Sequence, residues 1–318
     1  MKKRSWLIVS LTLLMVFACV NVYAAKYPSK PVEVIIPYNP GGGSDITSRI
    51  IAKYIPEYLG ETMVVVNIAG AQGKIGEMEV LNARPDGHKL LWQHHVMHCL
   101  HITGVTNYTW KDFTPIAVGA KSDNVVVVKS DSPWQTINDF VKDAKANPGK
   151  YIFEFAPGTT NQFGVLQMIS DTGIEVNFVP KSGDNPRMVS LLGGHCDITV
   201  VALNSALSFY ESGDVRILGT MGTSRSKYVP DIPTLIEQGI QAELYNEYVL
   251  YAPKGISKEV ETKIRDAFRK VMTRPEVIKE FDNVATEINF MEKEETIQRL
   301  ESIFNTYMKL GQDFGIAK

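Results

Sequence analysis

The fold is decided by the stretch Val32-Glu33-Val34-Ile35-Ile36-Pro37-Tyr38-Asn39-Pro40-Gly41-Gly42-Gly43-Ser44-Asp45. Its apolar, β-branched start, Val32–Ile36, predicts a buried strand. After the glycines, apolar residues recur at three- and four-residue steps over residues 45–59, which predicts an amphipathic helix. A strand that leads into a helix through a glycine-rich turn is typical of a parallel α/β sheet.

Strand and helix patterns alternate in the same way along two successive parts of the chain. The first part has strands at 63–66 and 89–92 around a helix near 73–82. The second part has strands at 125–128, 151–155, 176–180, 198–201 and 217–221, and helices follow at 258–272 and 293–310. The sequence therefore predicts an α/β protein with two lobes, each a mainly parallel sheet flanked by helices.

The chain is expected to cross between the lobes twice, around residues 116–122 and 245–253. This division assigns residues 25–122 and 248–318 to lobe 1 and residues 123–247 to lobe 2. A length of 318 residues is sufficient for two ordinary domains.

Residues 1–24 have the pattern of an export signal. Lys2, Lys3 and Arg4 form a basic start, and an apolar segment and small residues follow before Ala25. The apolar segment is shorter than the roughly 20 residues that a membrane span needs. The protein is therefore expected in the periplasm or otherwise outside the cytoplasmic membrane, either free or, as the alternative, lipid-anchored at Cys19.

The composition argues against several classes of function. The chain has 33 Lys and Arg against 35 Asp and Glu, and its net charge of -2 comes without a basic run for nucleic acid. Cys19, Cys99 and Cys196 show no zinc or redox spacing, and Cys99 and Cys196 fall in different lobes, which argues against a disulfide. No nucleophile or cofactor motif is present, so the sequence indicates neither an enzyme nor a bound cofactor.

The glycine-rich turn after the first strand is a candidate anion site. Glycines allow backbone N–H groups to approach a ligand, and the helix dipole favours negative charge at the helix start. The turn lacks the dinucleotide and P-loop patterns, so a small anion such as a carboxylate is expected. A tight turn capped by Ser44 or Asp45 is the alternative. The candidate ligand-binding residues are Tyr38, Asn39, Pro40, Gly41, Gly42, Gly43, Ser44 and Asp45.

Two further loops occupy equivalent places between a strand and a helix, one at residues 70–76 and one after the strand at 151–155. Loops at the carboxyl ends of parallel strands form the ligand-binding edge of an α/β sheet. Such loops on both lobes predict a cleft between the lobes, with ordinary turns capped by Thr159 or Thr160 as the alternative. The candidate residues in these loops are Ala71, Gln72, Gly73, Thr159, Thr160 and Asn161.

Four histidines, His94, His95, His98 and His101, follow the strand at 89–92. In a helix, three of them would share one face, as metal ligands do. No carboxylate stands nearby, however, and a loop is expected directly after a strand end. The preferred interpretation is that one or two imidazoles line the cleft as hydrogen-bond donors to an anion. A metal site and a solvated face are the alternatives.

Motifs along the whole chain resemble the substrate-binding proteins of tripartite tricarboxylate transporters, also called Bug-type receptors. Besides the first glycine turn, they include Gly70-Ala71-Gln72-Gly73-Lys74-Ile75-Gly76, Arg84-Pro85-Asp86-Gly87, Lys111-Asp112-Phe113-Thr114-Pro115, Val229-Pro230-Asp231-Ile232-Pro233-Thr234 and Tyr251-Ala252-Pro253-Lys254-Gly255. The resemblance implies a two-lobed periplasmic-binding-protein fold of type II.

The resemblance also implies a monomeric receptor that binds a small organic mono- or dicarboxylate and hands it to membrane permease subunits. In the family, the loops matching residues 38–45 and 71–76 hold one carboxylate. The segment matching residues 159–161 closes on the other end, helped by the loop that contains Lys181 and Ser182 here. A sensory or metal-binding accessory protein with the same fold, using the histidines at 94–101, is the alternative.

Three departures from the family pattern bear on specificity. Gln93, His94 and His95 replace a wall of small residues and become ligand-binding candidates, while His98 falls at a family His position. Val201 is a candidate where members that take amino acids place an acidic residue, and Ile68 replaces an Arg. We therefore expect a ligand with one or two carboxylates, an apolar or hydroxylated middle, and no amine.

Overall fold

The computed structural model describes residues 27–318, so the predicted export signal and Cys19 lie outside the described residues. Ten strands form one continuous sheet. The strands are β1 (Val32–Ile36), β2 (Met63–Asn67), β3 (Lys89–Gln93), β4 (Phe113–Lys129), β5 (Ile152–Phe155), β6 (Asn177–Pro180), β7 (Ile198–Ala202), β8 (Val215–Thr220), β9 (Tyr245–Pro253) and β10 (Glu287–Met291).

Helices cover both faces of this sheet. They are α1 (Gly43–Tyr54), α2 (Pro56–Leu59), α3 (Lys74–Leu81), α4 (Val96–Ile102), α5 (Ile137–Ala146), α6 (Thr160–Thr172), α7 (Asp184–Leu192), α8 (Leu203–Glu211), α9 (Lys258–Met272), α10 (Pro275–Asp282) and α11 (Lys293–Asp313). Two short 3-10 turns lie at Ala71–Gly73 and Trp110–Asp112. Within residues 27–318, each helix is too short or too polar to span a lipid bilayer.

The strand order is β2-β1-β3-β9-β4-β7-β5-β6, and β8 and β10 also pair with β4. Strands β1, β2 and β3 pair in parallel, and so do β5, β6 and β7. The long strands β4 and β9 run antiparallel to each other and join the two parallel groups. This topology confirms the predicted class, an α/β protein with mainly parallel sheets flanked by helices.

Strand β4 belongs to both halves of the sheet. It is 17 residues long, and it pairs first with β9 and then, from Asn124 onward, with β7 and β8. The segments predicted to cross between the lobes are therefore strand residues of β4 and β9. We keep the lobe boundaries predicted from the sequence as a proposal and use the names lobe 1 and lobe 2 in that sense.

Each half of the sheet has its own apolar core. In lobe 1, Trp92 and Phe268 are fully buried between the sheet and helices α1, α9 and α10. In lobe 2, Phe140 of α5 and Phe153 of β5 are equally buried, together with apolar residues of α6. Burial of one such side chain contributes about 1.5–3 kcal/mol, so these two cores fix the helices whose first turns face the cleft.

Four elements differ from the sequence prediction, namely α2, α4, α10 and β10. The first helix is interrupted at Pro56, which has no N–H to donate and begins the separate helix α2. The expected loop at residues 94–101 is wrong, because α4 forms there and buries Val96, Met97 and Leu100. Helix α10 and strand β10 were not predicted at all.

Candidate ligand-binding cleft

The structure brings the three predicted loops together at the line where the lobes meet. The side-chain amide of Gln72 donates a hydrogen bond to the carbonyl oxygen of Pro157, 3.1 Å away on the other lobe. A Cβ atom added to Gly43 would lie 2.6 Å from Tyr248 Oη and 3.2 Å from Asn204 Nδ2. The loops of the two lobes are therefore in contact, and the cleft is closed.

The first loop is held by Asp45, so this carboxylate is not free for a ligand. Its side chain accepts the N–H of Gly41 at 2.9 Å and pairs with Arg49. Burial alone would raise the pKa of Asp45, but hydrogen bonds from Arg49, Gly41 and Asn67 lower it below its usual value. Helix α1 begins directly after this loop with no side-chain cap, which leaves its first N–H groups available to an anion.

The second loop has a strained backbone. Ala71 and Gln72 have φ values of 45° and 59°, and Gly70 and Gly73 flank them with φ values of 134° and 109°. Left-handed backbone at residues other than glycine is uncommon and costs free energy, and it concentrates at functional sites. Helix α3 follows this loop, again without a side-chain cap.

The third loop enters helix α6 from lobe 2. Thr159 lies at the N-cap position, but its hydroxyl donates to the carbonyl of Ala156 at 2.7 Å instead of capping the helix. The Thr160 hydroxyl donates to Asn246 Oδ1 at 3.3 Å, and the Asn161 amide donates to the carbonyl of Val200 at 2.9 Å. These two side chains fasten α6 to the sheet. Gln162 Oε1 accepts the Gly158 N–H at 2.7 Å, so the N–H groups of residues 159–161 are the ones that remain for a ligand.

His94 lies beside the first loop. Its ring stacks on Tyr38, with ring centroids 5.1 Å apart and 5° between the planes, and its edge meets Tyr248. Burial, together with the neighbouring His95, lowers the pKa of His94 to about 3. The imidazole is therefore neutral at physiological pH, with one donor and one acceptor nitrogen.

Gln93 lies behind Tyr38 and His94 and is fully buried. Its Oε1 accepts the Tyr38 hydroxyl at 2.6 Å and the His94 N–H at 2.8 Å, and its Nε2 donates to Glu77 Oε1 at 2.6 Å. Glu77, which the sequence interpretation did not single out, also accepts the Tyr108 hydroxyl at 2.9 Å. Gln93 thus positions Tyr38 and His94.

The other histidines point into lobe 1 and away from the loops. His95 Nε2 lies 2.8 Å from Glu247 Oε2, and Arg299 pairs with the same carboxylate. His98 packs among His95, Trp110 and Phe304, and burial lowers its pKa well below the usual value. Within residues 27–318, no group of three or more His, Cys, Asp or Glu side chains is arranged to hold a metal ion.

The lobe 2 candidates differ in exposure. The Lys181 ammonium is paired with Glu154 at 2.9 Å and donates to Ser190 at 2.6 Å, while Ser182 next to it is exposed. Val201 is fully buried, and its side chain packs in an apolar cluster of lobe 2. Cys99 and Cys196 are both buried free thiols.

Comparisons with known proteins identify the family and support the fold. Residues 47–315 match the model of the tripartite tricarboxylate transporter family receptor, TctC. A UPF0065 protein in the gbd 5′ region of Cupriavidus necator is 30% identical over 300 residues, which cover 93% of this chain and 90% of that protein.

Solved structures share the fold. A TctC solute-binding protein from Polaromonas, without ligand, is 28% identical with a TM-score of 0.78, covering 90% of this chain and 99% of that one. A more distant R. palustris protein, solved with adipate, is 23% identical with a TM-score of 0.82, covering 92% of this chain and 99% of that one. The chain therefore belongs to the tripartite tricarboxylate transporter receptor family, whose members are solute-binding receptors.

Proposed function

We propose that this protein is a periplasmic receptor that binds a small organic mono- or dicarboxylate between its lobes and delivers it to the membrane permease of a tripartite tricarboxylate transporter. The observation that carries the proposal is the convergence of three helix starts without side-chain caps, α1, α3 and α6, on one cleft. Helix starts attract anions through free N–H groups and through the helix dipole.

The geometry suggests how the two ends of a ligand are held. The starts of α1 and α3 belong to lobe 1 and would share one carboxylate, with the neutral His94 as a further hydrogen-bond donor. The start of α6 belongs to lobe 2 and would hold the other end, beside Ser182. The adipate in the R. palustris relative is a dicarboxylate, which supports the same ligand class for this cleft.

The permease would recognise the closed form of the receptor. The Gln72 to Pro157 hydrogen bond and the approach of Gly43 to Asn204 exist only when the lobes are together. A ligand that binds both lobes favours this closed form, with no covalent change to the ligand. A sensory role would use the same closure with a different protein partner, and the separate contacts of the histidines do not favour the metal-binding alternative.

Thermal unfolding of the protein with a panel of mono-, di- and tricarboxylates, amino acids and divalent metals tests the proposal. A ligand present at about 100 times its Kd stabilises by about 2.7 kcal/mol, which is several degrees. We expect shifts with one carboxylate class. Shifts with amino acids or divalent metals alone would overturn the proposal.

A matched pair of variants tests where the ligand binds. Gly43→Ala places a Cβ against Tyr248 Oη in the closed form, whereas the nearest atom to a Cβ on Gly42 is 4.0 Å away. Gly43→Ala should therefore lose most of the carboxylate-induced shift, and Gly42→Ala should keep it. Equal behaviour of the two variants would place the ligand elsewhere.

A further inference from the structure

Strand β4 carries a polar interval between the two apolar cores. Alternate residues of a strand lie on one face. On one face of β4, Ala120 belongs to the core of lobe 1 and Val126 to the core of lobe 2, and between them stand Ser122 and Asn124. We call Ser122, Asn124 and Asn246, which pairs with Ser122 across the ladder, the cleft floor.

The cleft floor contains buried polar atoms without partners in the described chain. Ser122 is 1% exposed and Asn124 is fully buried, yet Ser122 Oγ and both Asn124 Oδ1 and Nδ2 have no hydrogen-bond partner. A buried polar group without a partner destabilises the folded protein unless something satisfies it. Native proteins keep few of these groups, and here three such atoms lie on two neighbouring residues of one strand face.

The register places the cleft floor between the two anion-binding ends. Ala120 pairs with Tyr248, whose hydroxyl faces Gly43 in the first loop of lobe 1. Asn246 is bonded to Thr160, at the start of α6 in lobe 2. A ligand held by both helix starts would therefore have its middle, not its ends, over Ser122 and Asn124.

We propose that Ser122 and Asn124 select ligands that carry a hydroxyl group on the chain between their carboxylate ends. A hydroxyl both donates and accepts, so it can satisfy Asn124 Oδ1 with its proton and accept from Asn124 Nδ2 or Ser122 Oγ. The cleft floor bears no charge, so a ligand amine would remain without a counter-ion there. This inference rests on the proposed carboxylate-binding function and names its substrate class, a hydroxycarboxylate.

Matched ligand pairs test the inference by isothermal titration calorimetry. The pairs are succinate with malate, glutarate with 2-hydroxyglutarate, and adipate with 2-hydroxyadipate. For the chain length that binds best, we expect the hydroxylated ligand to bind about 10- to 100-fold more tightly, the factor that one or two buried hydrogen bonds supply. Equal affinity within a pair would overturn the inference and leave carboxylate binding intact, whereas no carboxylate binding at all would refute both.

Variants of the cleft floor show whether these residues cause the preference. Asn124→Leu keeps the shape but removes both polar atoms, so it should bring the affinity ratio close to one by weakening only the hydroxylated ligand. Ser122→Ala is the smaller change and should lower the ratio in part. If both variants weaken the two ligands of a pair equally, or if the ratio stays unchanged, the unpartnered atoms hold water or serve packing instead.

Strand β8, which pairs with β4, provides a control residue whose side chain lies on the opposite face of the sheet from the cleft floor. Thr220 is fully buried, its Oγ1 has no partner in the described chain, and it pairs with Val125. Thr220→Val therefore removes a comparable group away from the cleft floor. It should leave the affinity ratio unchanged, and a changed ratio would show that the effect is a general one of buried polar groups.

Discussion

Two buried carboxylates, Glu77 in lobe 1 and Glu247 at the last position of lobe 2, have opposite electrostatics. Both are almost fully buried, with 0% and 2% of their surface exposed. The partners of Glu77 are the neutral side chains Gln93 and Tyr108, and burial outweighs their hydrogen bonds and raises its pKa to about 7. Burial acts on Glu247 in the same direction, but His95 and Arg299 outweigh it and lower its pKa to about 2.

The comparison shows that partners, rather than depth, decide the charge of a buried carboxylate. Glu247 is an ion inside a charged network that ties β9 to α4 and α11 through His95 and Arg299. With a pKa of about 7, Glu77 is only partly ionised at pH 7, directly behind the loop at residues 70–73 that is proposed to hold a ligand carboxylate. A full negative charge at that place would repel the ligand, so the partial protonation of Glu77 favours an anion.

We expect the largest change in stability from removal of Glu247, the ionised carboxylate. Glu247→Ala leaves the Arg299 and His95 groups without their carboxylate in the interior, and loss of one partner of a buried pair costs about 3–5 kcal/mol. Urea unfolding at pH 7 measures this loss. Glu243→Ala removes the other carboxylate on Arg299, which is 35% exposed, and should cost at most about 1 kcal/mol. Equal losses would show that Glu247 is not held as an ion.

The second prediction concerns Glu77. A pKa of about 7 in the folded state against 4.5 means that the native protein binds more protons than the unfolded chain between these values, so Glu77 lowers stability as pH rises from about 4.5 to 7. In Glu77→Gln, the amide oxygen can still accept from Gln93 Nε2, while the amide nitrogen can only donate to Tyr108 Oη, which reverses that hydrogen bond. The stability of the variant relative to the wild type should therefore rise by about 3 kcal/mol between pH 4 and pH 8.

Urea unfolding of the variant and the wild type across pH 4–8 measures this difference. Glu79→Gln is a suitable control, because Glu79 lies on the same helix but is 44% exposed and paired with Lys89. It should shift stability by less than about 1 kcal/mol at any pH. A gain for Glu77→Gln that does not grow with pH would contradict the assignment.

The smallest effect should follow from a change in the neutral partners of Glu77. The Tyr108 hydroxyl stabilises the ionised form of Glu77, so Tyr108→Phe should raise the pKa of Glu77 further. We expect a loss of about 1 kcal/mol at pH 8 and less at pH 5, where Glu77 is protonated in both proteins. The same loss at both pH values would mean that Tyr108 acts by packing alone.

Local sequence patterns predicted the parts of the cleft that local chemistry forms. The glycine turns were found because a strand, a glycine run and a helix start follow each other along the chain. Tyr248, Asn204 and Asn124 could not be found in this way, because long-range pairing of β4, β7 and β9 brings them to the cleft. Gln93 and His95 were placed in the cleft, but their side chains are buried behind it.

Two segments are difficult to interpret from the local sequence, for clear physical reasons. Strand β7 is buried on both faces, so its run of apolar residues gives no alternation, and the orientation of Val201 could not be read from it. The four histidines at 94–101 draw attention away from the helical pattern of this segment. Met97, Cys99 and Leu100, which stand between the histidines, supply the buried surface that stabilises α4. Apolar residues, not the histidines, determined that segment.

The place of β9 in the sheet has a consequence for the order of folding. This strand lies between β3 and β4, although it is made long after both. The sheet of lobe 1 therefore stays open until residues 245–253 arrive, and such long-range pairing is slow to form. Completion of the lobe 1 sheet thus depends on residues late in the chain, which suits a protein that is proposed to act in the periplasm.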